Sequence, residues 1–192
     1  MERDIFALSL CQAILASWTD FLVQHPNETA YALALIPGQM GHSLGYAIAT
    51  EERLLRVAEK YQAEGWRYAA AEWEIFEDRQ KISEWLRWAN PDDGWHFGDF
   101  PDQFQIPETL DALVEDGAFG DDVHDLEEFC TNVLAQLRDE IPADVFLGVT
   151  WGEDPRDYLR TATRINGYSN VTELWQAMSI SQALEGRIIP PN

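Results

Sequence analysis

From Trp88 to Leu137 the chain has no lysine and no arginine across fifty residues, yet it carries thirteen aspartates and glutamates there. That absence excludes whole classes of partner. A negative field repels nucleic-acid phosphates and anionic lipid, and it attracts cations and basic proteins. The full chain holds 34 acidic and 13 basic residues. Residues 71–140 alone hold 20 of those acids against four bases, so the charge is localised rather than spread. A direct nucleic-acid-binding role and docking on an acidic membrane face are both disfavoured.

Other absences narrow the chemistry. There are only two cysteines, Cys11 and Cys130. Both fall on expected inner helical faces and read as small core residues in a reducing compartment. A zinc site would need histidine partners at suitable spacing, and a cysteine nucleophile would need an accessible thiolate beside a histidine. No glycine-rich phosphate loop is present, in either the P-loop or the dinucleotide form. Neither a G-x-S-x-G elbow nor an H-E-x-x-H pair occurs. Repeats and low-complexity tracts are missing too. Glu2 and Asp4 offset Arg3, so the apolar run from Ile5 to Ala16 lacks the positive flank of a signal peptide. No apolar run is read as reaching the roughly 18 residues of a membrane span. These features lead us to expect a soluble, cytoplasmic protein with no membrane partner.

What is present describes a globular fold. At 192 residues the chain suits one domain, and eight tryptophans argue against disorder. A first helix is expected over residues 3–24, with Ile5, Leu8, Cys11, Leu15, Trp18 and Leu22 as its inner stripe. Residues 29–36 and 43–49 read as two strands of a β-hairpin around the Pro37-Gly38 turn. Thr50 suits an N-cap, with Glu51 and Glu52 at the positive end of the next helix. That helix is expected to bury Leu54, Leu55, Ala58 and Tyr61. A strand over 66–76 and a helix over 78–89 follow. Residues 90–106 read as a long mobile loop. Helices are expected over 107–116 and 121–138, with their carboxylates turned to water. A strand over 145–151 precedes helices at 154–165 and 170–183, with Asn166-Gly167 as a stop between them. The sum is a single α+β domain over residues 1–192, with a small, partly antiparallel sheet of about four strands and six or seven helices.

One constellation carries potential chemistry. Asp92, Asp93, Trp95, His96, Phe97, Asp99, Phe100 and Asp102 place four carboxylates, an imidazole and three aromatics within eleven residues. The spacing does not fit an EF-hand loop, and no metal and no cofactor are assigned to it. His25, His42 and His124 are isolated in sequence. Asp92, Asp93, Trp95, Phe97, Asp99, Phe100 and Asp102 are the candidate partner-binding residues, the aromatics serving as anchors within an acidic surface. No catalytic residue is assigned.

A resemblance emerges from three segments: Tyr31-Ala32-Leu33-Ala34-Leu35, then Ala47-Ile48-Ala49-Thr50-Glu51-Glu52, then Arg67-Tyr68-Ala69-Ala70-Ala71-Glu72-Trp73. Together with Arg164-Ile165-Asn166 they resemble the bacterial domain-of-unknown-function 4303 family over about residues 28–180. Tyr68 and Ala70 stand where that family carries tryptophan and proline. The resemblance implies an α/β domain in a bacterial cytoplasm and brings no established activity and no catalytic residues. The expected function is a non-enzymatic protein-binding module, such as an immunity-type protein engaging a basic partner. The alternative is a metal-dependent or carboxylate-based hydrolase of a small substrate, which needs partly buried carboxylates converging in a pocket.

Overall fold

A computed structural model of the chain describes residues 2–38, 41–63, 83, 87, 94–120, 123–150 and 155–167. Within them lie five α-helices: α1 (Glu2–Gln24), α2 (Glu51–Ala63), α3 (Ile106–Glu115), α4 (Val123–Gln136) and α5 (Pro155–Asn166). Four strands join them: β1 (Ala30–Pro37), β2 (Leu44–Thr50), β3 (Trp95–Gly98) and β4 (Phe146–Val149). The fold is α+β with one mixed sheet. The expected strand at 66–76 and the helix at 170–183 lie outside the described residues, and of the expected helix at 78–89 only Ser83 and Arg87 are described, both helical.

The sheet runs in the order β3-β2-β1-β4. β1 and β2 pair antiparallel as the expected hairpin, with Leu35 opposite Tyr46 and Leu33 opposite Ile48. β2 pairs antiparallel with β3, and β1 pairs parallel with β4. Strand side chains alternate between faces, and here they alternate in size as well. Leu33, Leu35, Ile48, Leu147 and Val149 face a cluster built with α1, α3 and α4. Ala32, Ala34, Ala47 and Ala49 face the other way, beneath α2 and α5. The alanine face leaves room that Tyr31, Trp95 and Tyr158 fill, with Trp95 and Tyr158 meeting edge to face at 5.8 Å. Gly148 belongs to that second face. A Cβ there would stand 2.6 Å from the Tyr158 ring, so only glycine lets the ring lie on the strand.

The open edge of β4 is closed by side chains of α5. Asn166 Nδ2 donates to Leu147 O at 2.9 Å, and Asn166 Oδ1 accepts from Leu147 N at 3.2 Å. Thr161 Oγ1 accepts from Val149 N at 2.8 Å. Tyr158 Oη donates to Phe146 O at 2.9 Å. Helix side chains thus satisfy backbone groups that an edge strand would otherwise offer to another chain.

α1 corrects two sequence expectations. Its buried residues are Phe6, Leu10, Ala13, Ile14, Ser17, Trp18 and Phe21. Ile5 and Leu8, assigned to the inner stripe, are each 63% exposed, and Leu22 is exposed as well. The helix is apolar nearly all round, so helical periodicity fits more than one face and the sheet chooses. By length and composition α1 also meets the requirement for a membrane span, which the sequence was not expected to contain. In this fold one of its faces is occupied by the sheet cluster. In α2, Leu55 is likewise exposed, and Val57 joins Leu54 and Ala58 inside.

The expected loop at 90–106 contains a strand. Residues 95–98 pair with Tyr46, Ala47, Ile48 and Ala49 of β2. Trp95-His96-Phe97-Gly98 alternates sides, which sends Trp95 and His96 to opposite faces. One expectation about α4 also fails. Its Glu127 is buried rather than turned to water, and Arg160 Nη2 donates to its Oε2 at 2.6 Å.

Candidate functional site

Among the described residues, the anticipated aromatic and acidic set divides between core and surface. Asp92 and Asp93 lie outside the described residues. Trp95 is buried against Tyr158, and Phe100 is buried against Tyr46 at a ring separation of 5.3 Å. Neither can anchor a partner as placed. Phe97 stays 52% exposed, on the sheet face it shares with Trp95. Asp99 and Asp102 are exposed, and Asp102 opens a 3₁₀ turn over Asp102–Phe104.

His96 leaves that set and joins another. It lies on β3, facing the C-terminal end of α1. His25 follows α1 and its ring sits 4.4 Å from that of His96, with Phe21 packed against both. Glu28 precedes β1. Its Oε2 accepts from His96 Nε2 at 2.7 Å and from Thr50 Oγ1 at 2.7 Å, and its Oε1 accepts from Arg56 Nη2 at 2.9 Å. Arg53 Nη1 lies 3.1 Å from His96 Nδ1. The same corner is tied a second time through Glu52, which accepts from Thr29 N at 2.6 Å and from Thr29 Oγ1 at 3.0 Å. Thr50 Oγ1 accepts from Arg53 N at 3.2 Å, the N-cap bond expected of it.

Electrostatics follow from these contacts. Burial alone would raise the Glu28 carboxyl. Hydrogen bonds from Thr50, His96 and Arg56 outweigh it and hold the group at about 2. His96 is pushed below its ordinary value, chiefly by burial and then by Arg53, against the upward pull of Glu28. Arginine can only donate, so His96 Nδ1 accepts from Arg53 and Nε2 carries the proton given to Glu28.

One ligand atom each of His25, Glu28 and His96 lie within 4.8 Å of one another, and two imidazoles with a carboxylate suit a transition metal in composition. The hydrogen-bond polarity does not suit one. A metal on His96 Nε2 needs the lone pair of that nitrogen, which the Arg53 contact commits to a proton. It would also sit close to two guanidinium groups. The arrangement is that of a closed polar lock joining the α1–β1 turn, the start of α2 and β3.

The second candidate is a surface. α1, the 3₁₀ turn, α3 and α4 form the layer on one face of the sheet. Their sequences hold ten carboxylates and one arginine, Arg3. Arg3 Nη1 donates to Ala118 O at 3.1 Å, and its guanidinium lies 4.8 Å from the Phe119 ring centre. Asp102, Glu108, Glu115, Asp125 and Glu128 are exposed. Asp111 meets His42 at 3.2 Å, and Glu127 and Glu128 are met by Arg160 and Arg164. The opposite layer differs. α2 carries three acids and three bases, and α5 carries three arginines and one aspartate. Among the described residues, charge is therefore polarised across the sheet. Arg138, the one cation between residues 88 and 150, points inward and donates to Val145 O at 2.7 Å and Asn166 Oδ1 at 2.6 Å.

Sequence reasoning missed the lock and the part played by α1. The spacing of His25 and Glu28, followed by the Thr50-Glu51-Glu52 helix start, was the visible signal for the lock. Nothing in the sequence pointed to His96 as its third member. A family model described as a domain of unknown function, DUF4303, matches residues 10–158. No curated protein and no solved structure matches the chain.

Proposed function

We propose that this protein, which belongs to the DUF4303 family, is a non-enzymatic binding module of the bacterial cytoplasm whose acidic layer engages a basic protein. One observation carries the reading: ten carboxylates against one arginine on the layer of α1, the 3₁₀ turn, α3 and α4, on the sheet face opposite described helices that are balanced or basic. A net charge spread evenly would serve solubility alone, whereas a polarised one also orients an approaching partner. Neutralisation of a basic toxic protein, as an immunity-type protein would perform, is one concrete form of the activity. Asp99 and Asp102 extend the acidic surface beyond the helices. Trp95 and Phe100 are withdrawn as contacts because they are core residues.

The test is affinity capture from the native host at about 50 mM and about 300 mM salt, a range over which exposed charge contacts weaken strongly. The expected catch is basic, is lost at the higher salt, and is lost when Asp102→Asn, Glu108→Gln and Asp125→Asn are combined. A catch that is neutral or acidic, or that survives both changes, refutes the proposal.

A further inference from the structure

On the outer side of α1, Ile5, Leu8, Gln12, Leu15, Thr19 and Leu22 recur at alternating steps of three and four, so leucine returns every seven residues at 8, 15 and 22. Seven-residue spacing is the seam by which one helix packs along another. Ile5 and Leu8 are each 63% exposed and Leu22 is 44% exposed, Gln12 and Thr19 are exposed as well, and Leu15 at the centre is half-buried against the core, so the two ends of the stripe are its uncovered apolar part among the described residues. Its flanks are fixed by contacts on both sides. Ser9 Oγ donates to Phe104 O at 3.3 Å, towards the 3₁₀ turn and α3. Cys11 Sγ approaches Val133 O on α4 at 4.0 Å, and Phe6 stacks on Phe129 at 5.5 Å. The seam thus lies between two acidic elements. From Ile5 to Thr19 it contains no charged residue, while Asp4 and Asp20 stand at its ends and Asp102, Glu108 and Asp125 on the flanking elements are exposed.

We infer that this seam docks an amphipathic helix with basic margins, supplied by the partner protein. The inference rests on the acidic-layer reading and adds a shape to it. Apolar positions at seven-residue spacing would fill the stripe, and lysine or arginine beside them would meet the carboxylates of the flanking elements. A second copy of this chain fits less well, because it would bring a second net charge of −21 to the contact. Anionic membrane is opposed by the same field.

The probe is a three-heptad helical peptide with leucine along its seam and lysine at its flanks, titrated against the full chain at about 50 mM salt, where exposed charges are weakly screened. It is expected to bind. Combining Ile5→Gln with Leu8→Gln should weaken binding about tenfold, as loss of a central apolar contact does, with an unchanged circular dichroism spectrum and melting point. Asp102→Asn, Glu108→Gln and Asp125→Asn together should weaken it and flatten its salt dependence. A glutamate-flanked peptide should not bind. If the carboxylate variant weakens binding and the Ile5/Leu8 variant does not, the seam inference fails and the acidic-layer reading stands. If the peptide does not bind, or neither variant matters, both fail. Equal binding of the glutamate-flanked peptide also overturns the inference. So does a dimer by light scattering that the Ile5/Leu8 variant dissolves, or vesicle binding to neutral phosphatidylcholine that the same variant abolishes.

Discussion

Replacing Glu28 by glutamine tests the polar lock in a way that its geometry makes quantitative. The carboxylate receives three side-chain donors, from Thr50, Arg56 and His96, and an amide has one acceptor oxygen to offer them. The folded carboxyl titrates at about 2, against an ordinary value of 4.5. At roughly 1.4 kcal/mol per pH unit, that gap corresponds to about 3 kcal/mol of stability at neutral pH. Part of that is regained in the variant by the hydrogen bonds the amide keeps, so a loss of about 2 kcal/mol is expected at pH 7 for Glu28→Gln. The sign of the pH dependence is fixed. A carboxyl depressed by folding stabilises the fold fully above 4.5, and that stability is lost as the pH falls through about 2. His96, held below its ordinary value, acts in the same direction, since acid charges it more readily in the unfolded chain. Urea unfolding of both proteins at several pH values between 7 and 2.5 measures the difference. The gap between them should be widest at neutral pH and should close below about pH 3. A gap that is under about 0.5 kcal/mol at pH 7, or that stays constant down to pH 2.5, would refute the assignment of Glu28 as the ionised centre of the lock.

Two further substitutions probe the packing that positions these elements. Gly148→Ala drives a methyl group into the Tyr158 ring and should cost about 1–3 kcal/mol, read as a lower melting point, with recovery when Tyr158→Leu is added; no recovery would mean the cost lies in the backbone of β4 instead. Ser17 Oγ is buried with no hydrogen-bond partner among the described residues. Ser17→Ala should therefore raise the melting point by about 2–4 °C, the shift that about 1 kcal/mol gives in a chain of this size, and a fall would show that the hydroxyl has a partner.

The local grammar of the chain was legible. Pro37 and Gly38 close β1, Thr50 caps α2, and Gly167 takes the positive φ that ends α5, all by chemistry within a few residues. Longer-range placement was not legible, for physical reasons that differ by element. α1 is apolar on both sides, so its own period could not say which side meets the sheet. β3 has four residues and exists through its pairing with β2, some fifty positions earlier, while its own turn-rich surroundings suggested a loop. Beyond the local His25–Glu28 and Thr50–Arg53 pairs, the lock joins groups 22 to 68 positions apart, a distance over which spacing carries no signal.

Charge is the case in which sequence and structure combine into something neither holds alone. The acidic run is continuous along the chain, and continuity there need not mean continuity in space. It does here for a specific reason. α3 and α4 are consecutive helices that pack on the same face of the sheet, flanking α1. The next helix, α5, crosses β4 to the other face and carries the arginines with it, so Arg160 and Arg164 reach back only as far as Glu127 and Glu128. β4 stands between α4 and α5 in the chain, so the strand that joins β1 in parallel also divides the acidic helix before it from the arginine-bearing helix after it. The chain leaves Asp102, Glu108 and Asp125 exposed on elements that flank α1, whose outer stripe carries no charge from Ile5 to Thr19, and that combination is what the proposed basic amphipathic helix would recognise.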